Sequence, residues 1–356
     1  MLVLLTRVSK RRETTVPAKR PTQADVAQLA GTSRSTVSLV LNRRLSHRIS
    51  PATRQRVLEA MRLLGYTPHP AAQMLARGRH QIIGVFTYEP HFPYEQENFY
   101  QPFLLGIERE ASRQDYNVLL FTRHRHGHRR QIYVDGQNTL HLADGAILLG
   151  ACPDRDELRR LVQEGYPFVY IGRREVPGCS IDWVASDYTT ASMTATRHLL
   201  ALGHRRLAFV GCEQARESYE DRLFGCQAAV AETSDGLLIT LPERLLSEPQ
   251  SLVAALRQSK ITAVLCTTPE IIAALLPCLR SAGIRVPRDL SIVSLGDSDP
   301  PFIFDFSLTH VRLNRVQVGE CAVRLLLDRL NGRVCSPQHI RVPCEFVVGE
   351  STAPPV

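Results

Sequence analysis

One short segment carries side chains able to read a nucleic-acid surface: the guanidinium of Arg34, the hydroxyls of Ser35, Thr36 and Ser38, and the apolar Leu39. A guanidinium fork matches the two acceptors on a guanine edge. Such chemistry works only if a helix presents these residues, amino end first, to a groove. The spacing predicts that helix. Thr22 and Asp25 have capping-box spacing at the start of a first helix that runs to about Ala30, where Gly31 stops it. Ser33 caps a second helix, Arg34 to about Leu41. Val26, Ala30, Val37 and Val40 then face inward, Ala27 permits close approach, and the recognition residues are left outside. This is the pattern of a helix-turn-helix, shared at this level with an ordinary helical hairpin. Ser50, Pro51 and Gly65 bound a third helix with an apolar face of Val57, Leu58, Met61 and Leu64.

The elements that position this segment belong to a chain of 356 residues, long enough for one small and one large domain. Residues 1–80 carry 15 Lys/Arg and 3 Asp/Glu, whereas the remainder carries 28 and 32, so the positive charge is concentrated at the head. A basic head on a slightly acidic body points to a polyanion partner for the head alone, with a solvated basic tail as the bland alternative. Residues 1–21 show no periodicity and read as a disordered basic arm; a DNA contact and an accident of the start site remain equally open. The apolar run Met1–Leu5 is far shorter than a signal-peptide core, and no run approaches the length of a membrane span. Nine cysteines without a CxxC pair read as reduced core residues of a cytosolic protein.

The segment His69–Arg77 has Pro70 at its start and Gly78 past its end, marking a two-turn helix too short to hold itself in water. From Gln81 apolar strands alternate with amphipathic helices, which predicts parallel sheets in two doubly wound lobes. Ile340–Val347 reads as a last strand, with no heptad tail after it. The run Arg123–Arg130 alternates His with Arg; adjacent cations oppose a metal dication, so a solvated loop is favoured. No GxSxG, HExxH or Walker-type loop appears, and the strand-end glycines do not form a dinucleotide fingerprint. No catalytic residue, metal site or cofactor is expected.

The stretch DVAQLAGTSRSTVSLVLN resembles the headpiece of the lactose/galactose-repressor (LacI/GalR) family. The likeness continues through ISPATRQRVLEAMRLLGYTPHPAAQMLARG into QIIGVF, GIEREA, DGAILLG, ATRHLLALGHRRLAFVG, RLFG, GIRVPRDLSIVSLGD and LTHVRLN, covering residues 22–350 with two lengthened loops. The resemblance implies an all-α headpiece before an α/β core of two Rossmann-like lobes, similar to periplasmic sugar-binding proteins. The expected organisation is an arm (1–21), headpiece (22–68), hinge (69–80), core (81–350) and tail (351–356). Chain crossings between lobes are expected near Arg173–Asp182, Leu308–Leu313 and Gln338–Val342. By position, Arg34, Ser35 and Leu39 would read base edges, and Ser33, Thr36, Ser38 and Asn42 would hold phosphates. Leu75, with Ala72 beside it, matches the hinge leucine that wedges into the minor groove, against the plainer reading of a linker residue. A homodimer on operator DNA is implied, in the cytoplasm at the nucleoid, without a membrane partner.

For the effector, a sugar-like small molecule between the lobes, the candidates are Tyr88, Phe99, Tyr100, Asp154, Asp187, Arg222 and Asp297. Three positions depart from the family: Cys226 where an aromatic is usual, Thr267-Thr268 for Asn-Asp, and Leu295-Gly296-Asp297 for Phe-Asp-Asp. Either the ligand is unusual or sensing has been lost. The functional expectation is a sequence-specific DNA-binding regulator, read as a repressor. A solute-binding protein of uptake shares the core but would need an export signal and no headpiece; a sugar-modifying enzyme would need a nucleophile–base or paired-carboxylate arrangement that the spacing does not supply.

Overall fold

A computed structural model describes residues 21–41, 49–67, 80–89, 99–123, 130–211, 216–242, 245, 248–297 and 304–356. The chain divides into two compact units, 1–79 and 80–356.

The first unit contains three helices, α1 (Gln23–Leu29), α2 (Arg34–Leu41) and α3 (Pro51–Leu64). Thr22 closes a reciprocal capping box, its backbone amide donating to the Asp25 carboxylate at 2.7 Å. Gly31 turns the chain at φ +61°, where a side chain would be strained. Seven small residues, Val26, Ala27, Ala30, Val37, Val40, Val57 and Ala60, form the core. The expected apolar face of α3 needs one correction. Leu58 is 48% exposed, and Ala60 takes its place. Positions 57, 60, 61 and 64 share one helical face, while 58 lies about 100° away from 57.

The second unit holds two sheets. The first contains β1 (Ile82–Thr87), β2 (Asn117–Phe121), β5 (Gly145–Leu149), β6 (Phe168–Ile171), β7 (Trp183–Ser186) and β13 (His339–Val342); a separate two-stranded hairpin of β3 (Tyr133–Val134) and β4 (Gln137–Asn138) lies in the chain between β2 and β5. Its order is β13-β7-β6-β5-β1-β2, parallel throughout. The second contains β8 (Arg206–Gly211), β9 (Leu237–Pro242), β10 (Ala263–Cys266), β11 (Ser291–Ser294), β12 (Thr309–Arg312) and β14 (Glu345–Val347), in the order β14-β12-β11-β10-β8-β9. Only its β12–β14 edge is antiparallel. Runs such as AILL and FVYI are apolar without alternation because helices cover both faces.

Helices α4 (Gln101–Arg113), α5 (Arg155–Gln163) and α10 (Arg315–Leu330) serve the first lobe; α6 (Tyr188–Ala201), α7 (Arg216–Val230), α8 (Pro249–Gln258) and α9 (Pro269–Ser281) serve the second. α4 and α10 touch backbone to backbone: a Cβ on Gly106 would lie 2.0 Å from the Val316 carbonyl oxygen.

Two expectations are corrected here. The first lobe crossing lies at Ser186–Tyr188, not within 173–182, because Trp183–Ser186 adds to the first sheet beside β6 before the chain leaves. The single strand expected over Ile340–Val347 is two strands in different sheets. Pro343 separates them, and the break between β13 and β14 is itself a lobe crossing. After β14, Ser351 donates to the Ile292 carbonyl at 2.7 Å and accepts from the Thr309 amide at 2.8 Å, tying the last residues to the second lobe. The eight described cysteines are free thiols, three of them buried and Cys335 exposed. Among the described residues no helix is long and apolar enough to cross a membrane.

Candidate functional site

Helix α2 presents a polar surface opposite its buried Val37 and Val40. Arg34, Ser35 and Ser38 are exposed, Thr36 and Leu39 half-buried. Ser33 caps the helix: its hydroxyl accepts from the Thr36 amide at 3.1 Å and meets the Ser35 and Thr36 hydroxyls at 2.7 and 2.9 Å. The cap orients the amino end of α2, and with it the Arg34 side chain, toward solvent. The geometry suits a helix entering a groove by its first turn. Asn42, Ala72 and Leu75 lie outside the described residues. Where the chain enters the second unit, the Asp144 carboxylate accepts from the His80 and Gln81 amides at 2.6 and 2.7 Å, fixing its direction there.

Between the two lobes lies a cavity of about 540 Å³. From the first lobe it is lined by Phe99, Tyr100, Phe103, Gly150, Ala151, Ile171, Gly172, Arg173, Arg174, Ala185, Ser186 and Val318; from the second by Tyr188, Ser218, Tyr219, Asp221, Arg222, Thr267, Thr268 and Glu270. The strand ends and the turns that follow them converge there, as the chain topology of open parallel sheets dictates. Phe99 packs edge-to-face on Tyr100 and Phe103, with ring centroids 5.3 and 5.6 Å apart. Burial, with Glu89 adding to it, pushes the Tyr100 phenol well above its usual value, so the ring enters as a neutral surface.

Arg222 reaches this cavity from α7 with its plane 3.7 Å from the Tyr188 ring centroid. Nε donates to the Leu295 carbonyl at 3.0 Å and Nη1 to the Ser218 carbonyl at 3.1 Å. Ser186 and Thr267 stand on opposite walls, each only 4% exposed, and their hydroxyls have no hydrogen-bond partner among the described residues. Burying a hydroxyl without a partner costs free energy that a ligand group can offset.

Of the seven residues expected at this cleft, the structure brings Phe99, Tyr100 and Arg222 together and uses the other four elsewhere. Tyr88 is 1% exposed within the apolar cluster of Phe86, Leu148 and Tyr170. Burial and the Glu157 carboxylate push its phenol well above the usual range. Asp154 caps α5, accepting from the Asp156 and Glu157 amides at 3.0 and 3.1 Å. Asp187 caps α6, accepting from Thr190 at 3.1 Å. Asp297 faces Arg315 at 3.2 Å and accepts from the Leu313 amide at 3.2 Å. Burial raises its carboxyl above the ordinary value, with Arg315 pulling the other way.

The sequence did not point to Arg173, Arg174, Ser186, Tyr188, Ser218, Tyr219, Asp221 or Glu270. A signal existed for part of this set: Ser218 and Tyr219 lie four and three residues before Arg222 and share its helix face. Of the departures noted above, Thr267-Thr268 does line the cavity. Cys226 does not: it is fully buried in the second-lobe core, where burial pushes its thiol up to about 12. The Leu295 carbonyl holds Arg222 instead of presenting a side chain.

Comparison with known proteins identifies two regions. Residues 22–69 match the family model "Bacterial regulatory proteins, lacI family", and residues 196–352 match a periplasmic binding protein-like domain. The HTH-type transcriptional regulator CelR of Thermobifida fusca is 31% identical over 341 residues, 94% of this chain and 98% of that protein. The HTH-type transcriptional repressor MelR of Bacillus subtilis is 28% identical over 354 residues, 92% of this chain and 96% of its own. A structure of transcriptional regulator CelR in complex with cellobiose aligns with TM-score 0.60 and 27% identity, covering 93% of this chain and all of that one. A lac repressor dimer bound to operator and the anti-inducer ONPF aligns with TM-score 0.70 at 23% identity, over 94% of this chain and all of that one, and shows the fold.

Proposed function

Since the chain belongs to the LacI family of bacterial transcriptional regulators, we propose that α2 reads operator bases and that a neutral sugar in the lobe cleft sets operator affinity. Arg34, Ser35 and Leu39 take base edges, with Arg34 pairing to a guanine; Ser33, Thr36, Ser38 and Asn42 take phosphates. Ala72 and Leu75 meet the minor groove at the operator centre. The chain acts as a cytoplasmic homodimer on a pseudo-palindromic site, because one headpiece offers too few contacts for specific affinity. We read it as a repressor with no catalytic step and no cofactor.

The observation that carries the sugar reading is the pairing of aromatic faces with orphaned hydroxyls. Tyr100, Phe99 and Tyr188 offer apolar surface to the C–H face of a pyranose. Ser186 and Thr267 offer hydroxyls that lack partners among the described residues, and Arg222 lines the same cavity from the second lobe. The arginines Arg173 and Arg174 are matched by carboxylates, so the cleft as a whole asks for a neutral guest. The cellobiose held by the related regulator makes β-linked disaccharides the first class to try. A thermal-shift screen of mono- and disaccharides on the full chain tests the reading. A sugar that raises the melting temperature saturably supports it; a panel without one, beside a nucleobase or phosphosugar that does, overturns it.

A further inference from the structure

At the cleft mouth three arginines of the first lobe meet three carboxylates of the second. Arg155, at the start of α5, donates to Glu217 at 2.8 Å. Arg173 and Arg174 follow β6. Arg173 pairs with Asp221 at 3.0 Å and Glu220 at 3.2 Å, and donates to the Glu217 carbonyl at 3.1 Å. Arg174 reaches Glu217 at 3.7 Å. Glu175 shares Arg173 on the first-lobe side, and its amide approaches the Glu217 carboxylate at 3.4 Å. Every acid in the trio sits on the first two turns of α7, so one helix face engages the whole opposing wall.

We propose that Arg155, Arg173 and Arg174 with Glu217, Glu220 and Asp221 form an ionic latch that holds the two lobes together across the cleft through contacts of the chain alone. Entry and exit of the ligand then require the latch to break. The inference rests on the cleft being the effector site only for that consequence; the latch itself concerns the chain alone.

The energetics favour opening over unfolding when the latch is damaged. The side chains of Glu217, Arg174 and Asp221 are 4%, 8% and 10% exposed, so removing one partner leaves a nearly dry charge uncompensated. In a core, that charge has no route to water. Here it regains water as soon as the lobes part, so the penalty is relieved along the cleft coordinate. Arg155 and Glu220, 39% and 43% exposed, sit at the rim and are screened by salt; the inner pairs are screened far less. Substitution therefore acts more strongly than salt.

Hydrogen–deuterium exchange on the full chain, with no sugar added, tests the latch. Asp221→Asn and Glu217→Gln should speed exchange of cleft peptides covering 150–152 and 172–175 about tenfold. A closing equilibrium weakened by about 1.4 kcal/mol gives that factor. The strands Ile83–Phe86 and Ala263–Cys266, inside each lobe, should keep their native rates. Unchanged cleft exchange in both single variants overturns the latch. So does equal acceleration of the internal strands, which makes the pairs supports of the fold. Because no ligand is present, a chain that responds to no sugar can still show the latch, and a sugar-binding chain can still lack it.

Discussion

Thr267→Val replaces a hydroxyl by a methyl of nearly the same shape, and the cleft geometry predicts effects of opposite sign on stability and on binding. The Thr267 hydroxyl is buried and has no hydrogen-bond partner among the described residues. Its removal deletes a dehydrated polar group and breaks no bond within the chain. The penalty of such a group is about 1–3 kcal/mol, so the variant should be at least as stable as the native chain, by up to about 1 kcal/mol after imperfect packing is allowed for. At roughly 2–4 °C per kcal/mol for a unit of this size, the melting temperature rises by up to about 4 °C. With sugar bound, the variant leaves a ligand hydroxyl unpaired, costing about 1–2 kcal/mol, or roughly 5- to 30-fold in affinity. Differential scanning calorimetry reads the first effect, and calorimetric titration with the strongest sugar from the screen reads the second. Thr196→Val is the contrasting control, since Thr196 is also fully buried but donates to the Ser192 carbonyl at 2.8 Å. That variant should lose stability and keep its affinity. A Thr267→Val chain that melts lower and binds sugar unchanged would show that the Thr267 hydroxyl is neither orphaned in the chain nor a partner of the sugar.

Arg34→Ala should cost about 1–3 kcal/mol of operator binding and relax preference at one base pair, read by competition with single-base operator variants; intact preference at every position would remove α2 from the reading role. Gly106→Ala places a Cβ 2.0 Å from the Val316 carbonyl oxygen, forcing α4 and α10 apart. A cost of about 3 kcal/mol and a melting point lower by roughly 6–12 °C follow, and calorimetry showing a native melt would contradict the close approach. Burial pulls the Glu217 carboxyl upward, but Arg174 and Arg155 outweigh it and hold it below its ordinary 4.5. A depressed folded value means the unfolded chain binds more protons, so this contribution is present above pH of about 4.5 and fades as pH falls through the folded value. Glu217→Gln should therefore flatten the acid limb of cleft closure, read as cleft-peptide exchange corrected for its intrinsic pH dependence; an acid limb as steep as the native one would show that Glu217 adds nothing to it.

The headpiece was legible because its signals are local. Capping residues, a turn glycine and small residues at helical spacing act within a few positions of one another, and only the Leu58 register slipped to Ala60. The two-lobed core was legible from its alternation, but short elements escaped. Trp183–Ser186 gives four residues between two aspartates, too brief to reveal a period, and it moved the first crossing. In the cleft, residue type was informative for the Phe99-Tyr100 pair and for Arg222, but Tyr88 fills the first-lobe core instead. Residue type misled for aspartates. An aspartate after a strand looks the same whether it meets a ligand or caps the next helix, and Asp154 and Asp187 do the latter. Their amide partners two and three residues onward are the cue that separates the cases. The cross-lobe pairs of Arg173 and Arg174 join residues more than 40 positions apart, and no local pattern encodes them.

Occupancy of the cleft should set the affinity of the headpiece for its operator. Fluorescence anisotropy of a labelled duplex from the chain's own promoter, titrated with the full chain with and without the saturating sugar, tests it most directly. Specific binding should weaken steeply with salt as released counterions re-associate, and the apparent Kd should change at least about fivefold when sugar is added. An operator Kd identical with and without a sugar that demonstrably binds would contradict it.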